Sequence, residues 1–285
     1  MHSVYRPDDA GFVNTLIEAS KAENQDKLYL ICFDEMNLAR VEHYFSQFLS
    51  ILEMPEQNRF LKLYAKEYET RLYNVDKYPS SVKIGNNLRF IGTVNMDEST
   101  FHFSDKVLDR ANVIQLDLVP YTEWRVGDGK KAEPEQTEPE QTENKVWSYK
   151  KYGELVKKLD LEKDILSARE REFLWKVHIT LNGCSKTLGV GPRILKQIAK
   201  YLINLPKTES EEAISRREGF DIQFVQRVLT KVRGQKEQLY DIFDENVKTS
   251  LPKLFEEYSD ISDFEKSKKM LEVKKREIEN YGYTL

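Results

Sequence analysis

Residues 28–33 read LYLICF, an unbroken apolar run, and the next two residues are the carboxylates Asp34 and Glu35. A run without polar alternation suits a strand covered on both faces, as in a parallel sheet. A second run, Leu88–Val94, follows the turn-forming triplet Gly85-Asn86-Asn87. Between the two runs, Asn37–Leu52 carries Val41, Phe45, Phe48, Leu49 and Leu52 at helical spacing. Ahead of the first run, Phe12–Ala22 places Phe12, Leu16 and Ala19 on one helical face. Residues 59–84 are rich in tyrosine with short alternations, which reads as β-hairpins or an irregular excursion. Strand, helix, excursion and strand in that order predict an α/β sheet.

The character of the chain changes at residues 127–145, where EPEQT occurs twice in tandem and no large apolar residue is present. Such a segment buries nothing and reads as a linker or exposed loop. After it the patterns are helical: Val146–Leu159, Ser167–Leu181, Pro192–Leu205, Phe220–Val232, Gln235–Phe243 and Phe264–Tyr281. The expected division is therefore an α/β part at 1–126, an acidic linker at 127–145 and a helical part at 146–285.

Composition narrows the function classes. Of 285 residues, 40% are hydrophobic and 32% charged, enough apolar material for a core and too much for general disorder. No apolar stretch is long enough for a membrane span, and no basic-then-apolar leader is visible at the start. The net charge of −4 gives no bulk argument for nucleic acid. The lysines and Arg276 within 266–276 alternate with glutamates, the pattern of a solvated helix face. Cys32 and Cys184 are the only cysteines, a poor basis for a disulfide scaffold, and the four histidines have no metal-ligand spacing. An intracellular, cytoplasmic chain is the expectation.

Four places could carry chemistry. Asp34 and Glu35 end an apolar strand, where ligands of open α/β sheets gather. There an aspartate can support Mg²⁺ and a neighbouring glutamate can orient an attacking water. The same pair could simply cap a following helix. Asn95 ends the second strand in FIGTVN, and its amide can bond both a water and a phosphate oxygen, or merely shape a turn. Arg110 follows a short helical pattern in KVLDRAN and could equally be a surface arginine. Arg193, in GVGPRILKQI, would project from a helix start set by Pro192, an unfavourable place for a cation unless it has another task.

The order of these motifs resembles an AAA+ ATPase module. Within that group the chain is most similar to the McrB-type motor subunits of 5-methylcytosine-specific restriction systems. The stretch KIGNNLRFIGTVNMDESTFHFSDKVLDRANVI carries the resemblance most specifically. FDIQFVQRVLTKVRGQKEQL and MLEVKKREIENYGYTL add to it. The resemblance implies that Asp34 and Glu35 are a Walker B pair, with Asp34 supporting Mg²⁺ and Glu35 polarising the hydrolytic water. It implies that Asn95 is sensor 1, that Arg110 is an arginine finger acting on nucleotide held by the next subunit, and that Arg193 is sensor 2. Asn37 falls at a position often polar in the family. The implied fold is a partial AAA+ P-loop NTPase sheet followed by an all-α lid. The implied cofactors are Mg²⁺ and ATP or GTP. The implied partners are further copies in a ring and an McrC-type nuclease subunit, with DNA reached indirectly and no membrane.

One element of the resemblance is missing. A P-loop reads G-x-x-x-x-G-K-[ST], and its amides and lysine cradle the phosphates. No such motif occurs, and the only Gly-Lys pair, Gly129-Lys130, falls in the linker. In the family that loop precedes the Walker B strand. The expectation is a chain that begins part-way through the domain and is inactive alone. The alternative is a truncated, non-catalytic homologue used for assembly.

Overall fold

The computed structural model describes residues 3–7, 11–95, 101–116, 148–156, 165–206 and 213–284. The linker expected at 127–145 and the outer parts of the helix expected at 146–159 lie outside them. In chain order the elements begin with α1 (Phe12–Ser20), β1 (Tyr29–Phe33), α2 (Val41–Tyr44) and α3 (Ser46–Ile51). Then come β2 (Phe60–Lys62), β3 (Ser81–Lys83), β4 (Leu88–Gly92), α4 (Asp105–Leu108) and α5 (Tyr149–Leu155). They continue with α6 (Ala168–Cys184), α7 (Pro192–Ile203), α8 (Arg216–Arg227) and β5 (Gly234–Gln235). The last are α9 (Lys236–Phe243), α10 (Leu251–Glu257), α11 (Glu265–Tyr281) and β6 (Tyr283–Thr284). This is a mixed α/β protein with small two-stranded sheets.

Two compact units emerge. The first comprises the described residues of Met1–Ala39, His43–Thr100 and Gln115–Leu155; the second comprises those of Arg40–Glu42, Phe101–Ile114 and Val156–Leu285. These bounds cut across the expected ones in three places, the shortest being Arg40–Glu42, which falls in the second unit. Helix α5 belongs to the first unit because Asp26 caps it: Asp26 O accepts from Tyr149 N–H at 2.9 Å and Asp26 Oδ1 from Lys150 N–H at 2.5 Å. Residues 101–114 belong to the second unit, strapped by arginine and lysine side chains.

In the first unit β1 and β4 pair in parallel, with Tyr29 opposite Leu88 and Phe33 opposite Gly92. One face of this pair carries Phe33 and Phe90, which pack with Phe12, Phe45 and Phe48 at ring separations of 5.0–6.5 Å. The other face carries Leu30 and Ile91, 58% and 48% exposed. The expectation of strands covered on both faces thus holds on one face only. β2 and β3 pair antiparallel, and a 3-10 helix at Lys66–Arg71 fills the tyrosine-rich excursion between them.

The single helix expected over Asn37–Leu52 is broken. Met36–Leu38 is a 3-10 turn, Ala39 is extended, and α2 and α3 follow as separate short pieces. The break has a long-range cause: the Asn37 side chain turns inward and its amide donates to Asn95 O at 2.8 Å. The apolar stripe survives, with Val41, Phe45, Phe48 and Leu49 all buried.

The second unit is built around Phe173, which has no exposed surface. The rings of Phe220, Phe224, Phe255, Tyr258 and Phe264 lie 5.0–6.4 Å from it. Its helix ends are chemically specified. Ser167 and Glu170 form a capping box on α6, and Ser215 caps α8. The start of α11 is capped from another helix, since Asp221 accepts from Lys266 N–H at 2.8 Å and Ser267 N–H at 3.1 Å. The unit is not all-α as expected. Gly282, at φ 78, ends α11 and turns the chain so that Tyr283–Thr284 pairs antiparallel with Gly234–Gln235.

Candidate functional site

β1 and β4 run side by side in the same direction, so their carboxyl ends meet at one edge. β1 delivers Asp34 and Glu35 there; β4 delivers Thr93 and Asn95. Both carboxylates are exposed. Thr93 ties the two strand ends together: its N–H donates to Phe33 O and its carbonyl accepts from Met36 N–H, both at 2.9 Å. The Thr93 hydroxyl accepts from Glu35 N–H at 2.9 Å and donates to Asp34 Oδ1.

The turn between them is unusual. Glu35 has φ 49 and ψ 48, a left-handed conformation that a glutamate adopts at a cost. It precedes the 3-10 turn Met36–Leu38, yet its side chain makes no capping bond. The capping role that the sequence left open for this pair is therefore not what Glu35 does. Behind the turn, Asn37 is buried; its amide holds Asn95 O, while its Oδ1 has no hydrogen-bond partner. Tyr44 OH donates to Met36 O at 2.7 Å, fixing the far side of the turn.

Arg110 and Arg193 belong to the second unit. Arg110 follows α4, as expected, and its Nη1 donates to Lys106 O at 2.6 Å. Its segment is fastened by neighbouring cations. Lys231 Nζ reaches Asp109 Oδ1 at 2.6 Å, Arg227 Nη1 reaches Ala111 O at 2.8 Å, and Arg233 Nη2 reaches Asp105 Oδ1 at 2.5 Å. Burial pushes the Arg227 guanidinium below its usual range, the cost of its position under this strap.

Arg193 is exposed in the first turn of α7, after Gly191 as N-cap and with Pro192 opening the helix. The turn before it rests on His178. A Cβ on Gly189, at φ 146, would lie 2.5 Å from His178 Nδ1. That same nitrogen accepts from Val190 N–H at 3.2 Å. The sequence reading passed over both His178 and Thr93. Thr93 had a signal, a hydroxyl two residues before Asn95 at a strand end; His178 had none, because its partner is a backbone N–H in the loop after its own helix.

The donor chemistry decides what this edge can hold. Asp34 offers hard oxygen to a cation, and among the described residues no group of three or more His, Cys, Asp or Glu side chains gathers for a metal. That fits Mg²⁺ held by one carboxylate, waters and a substrate phosphate, and does not fit a closed protein cage. No G-x-x-x-x-G-K-[ST] loop occurs in the sequence. A separate open cleft of about 890 Å³ lies in the second unit, beside the β5–β6 ribbon and Glu237, where Arg233 is already engaged by Asp105.

Residues 142–283, just under half of the chain, match the family of a domain of unknown function, DUF8727. No curated protein and no solved structure matches the chain. None of the described helices is long and apolar enough to cross a membrane.

Proposed function

We propose that this chain supplies the hydrolytic side of an AAA+ NTP-driven motor of the McrB type, within a cytoplasmic, modification-dependent DNA restriction system. The observation that carries the reading is the meeting of Asp34, Glu35, Thr93 and Asn95 at the carboxyl edge of two directly paired parallel strands. In open α/β sheets such an edge is where a phosphate ligand and its metal bind.

In that motor Asp34 supports Mg²⁺, which when bound neutralises charge developing on the transferred phosphoryl group. Glu35 accepts hydrogen-bonding from the attacking water and aims it. Asn95 holds the water and a γ-phosphate oxygen through its amide. Arg193 contacts the same phosphate from the helical part, and Arg110 acts on nucleotide held by a neighbouring subunit of a ring. ATP or GTP is the substrate, and an McrC-type nuclease is the partner that acts on DNA. The phosphate cradle comes from outside these residues, so the chain alone does not turn over nucleotide.

The test is steady-state ATP and GTP hydrolysis. The chain alone is expected to be inactive. An assembly in which another polypeptide provides the P-loop is expected to be active, and Glu35→Gln should lower its rate by about 100-fold or more. Arg110→Ala should impair hydrolysis at the neighbouring subunit's site. Wild-type rates in both variants would overturn the assignment. A second reading, a non-catalytic assembly protein, is favoured by the bare apolar face around Leu30 and Ile91 and by the missing cradle. It predicts that substitutions at Asp34 and Glu35 leave every function of the assembly intact.

A further inference from the structure

One side chain reaches both residues of the Asp34-Glu35 pair. Thr93 bonds residues 33, 34, 35 and 36 at once: Phe33 through its N–H, Met36 through its carbonyl, and Asp34 and Glu35 through its hydroxyl. A hydroxyl meets both demands at the last two through a single atom, accepting from an N–H and donating to a carboxylate together. The Met36 side chain lies against the residue before it. A Cβ on Gly92 would lie 2.4 Å from Met36 Sδ. A left-handed glutamate persists only where its surroundings over-determine it, and the Thr93 hydroxyl is the acceptor for that residue's own N–H.

We propose that Thr93 is a positioning residue, whose hydroxyl holds the Asp34 carboxylate in one rotamer and Glu35 in the left-handed region, so that both carboxylates are aimed at the strand edge. The inference rests on the proposed function only for what the carboxylates then do. Thr93 touches no reacting atom in this account; it acts through the two residues it bonds. Serine should substitute for it and valine should not, although valine matches its shape.

The experiment uses the full chain with Thr93→Ser, Thr93→Val, Thr93→Ala and Asp34→Asn. One readout is the backbone conformation of Glu35, from NMR chemical shifts and three-bond couplings. The other is Mn²⁺ affinity, from the electron paramagnetic resonance signal of the free ion. With Thr93→Ser, Glu35 should stay left-handed and Mn²⁺ affinity should stay within about twofold. With Thr93→Val, Glu35 should leave the left-handed region and Mn²⁺ affinity should fall about tenfold, while the melting temperature holds. Thr93→Ala removes the same hydroxyl and gives the same reading should the valine variant fail to fold. If Glu35 and Mn²⁺ affinity are unchanged in both hydroxyl-free variants, the positioning inference is overturned, even where Asp34→Asn abolishes Mn²⁺ binding and the metal reading stands. If Asp34→Asn leaves Mn²⁺ binding untouched while Thr93→Val releases Glu35, Thr93 keeps its positioning role and the metal reading fails.

Discussion

The two units of this chain solve the burial problem differently. The helical unit encloses Phe173 in aromatic rings and gives its buried charges partners: Glu170 takes Arg216, Lys231 takes Asp109, and Asp221 caps α11. The α/β unit packs one face of β1 and β4 against its phenylalanines and leaves Leu30 and Ile91 on the other. Parallel strands are normally covered on both faces, because their backbone and side chains are core material. The first unit therefore carries, on its one parallel pair, apolar surface and open strand edges that its own described residues do not cover, whereas the helical unit encloses its aromatic core and exposes apolar side chains such as Trp175 and Ile179 only outside it. The candidate carboxylates lie in the open unit, where another element can still reach them.

The largest test of this contrast is a matched pair of ring deletions. Phe173→Ala should cost the helical unit about 3–5 kcal/mol, because five aromatic partners lose contact in a site with little room to collapse. Phe90→Ala should cost the α/β unit about 1–3 kcal/mol, since its ring is only half-buried. Hydrogen exchange resolves the two units separately. Equal losses of protection in both would break the comparison.

A smaller effect comes from a buried amine. Lys274 on α11 is 3% exposed, and burial pulls its amine from 10.5 down to about 8; Arg233 adds to the shift and Glu277 opposes it. The folded chain then holds fewer protons than the unfolded chain between about 8 and 10.5. Stability of the helical unit should rise with pH across that window, and the gain is absent below it. Lys274→Met should remove this dependence. Urea denaturation of both proteins at pH 7, 8, 9 and 10 measures it. An unchanged slope in the variant would show that the amine is not the source.

These contrasts also mark what could be read from the sequence. β1 and β4 were legible because each is an apolar run with a turn signal or charge at its end. The starts of α6 and α7 were legible because Ser167 with Glu170, and Pro192, specify them locally. Helix α10 had a signal that went unread: Leu251, Leu254, Phe255 and Tyr258 are spaced for one face and are all buried. What could not be read depends on partners far along the chain. The Asn37–Leu52 helix breaks because Asn37 answers Asn95. Helix α5 joins the α/β unit because Asp26 caps it. Residues 101–114 join the helical unit through Arg227, Lys231 and Arg233. At the candidate site the carboxylates and Asn95 were visible as residue types, while Thr93 acquired its meaning only when β4 was laid beside β1.

The smallest effect separates two kinds of strain. Among the described residues, Glu35 and Phe264 are the non-glycine residues with left-handed backbone. Phe264 recovers the cost by packing: it is fully buried and stacks on Phe255 at 4.8 Å. Glu35 is exposed and has no such return, so its strain serves the turn and not the core. Left-handed backbone costs a non-glycine residue about 1–2 kcal/mol, and glycine forfeits about 0.5–1 kcal/mol of that relief through its larger unfolded-state entropy. Glu35→Gly should therefore stabilise the α/β unit by up to about 1 kcal/mol, while Glu35→Gln, which keeps the strain, should leave stability unchanged. Thermal unfolding followed by hydrogen exchange at β1 and β4 reads the difference. A destabilised glycine variant would mean that the Glu35 side chain supports the turn, and the strain would then belong to the fold in both units alike.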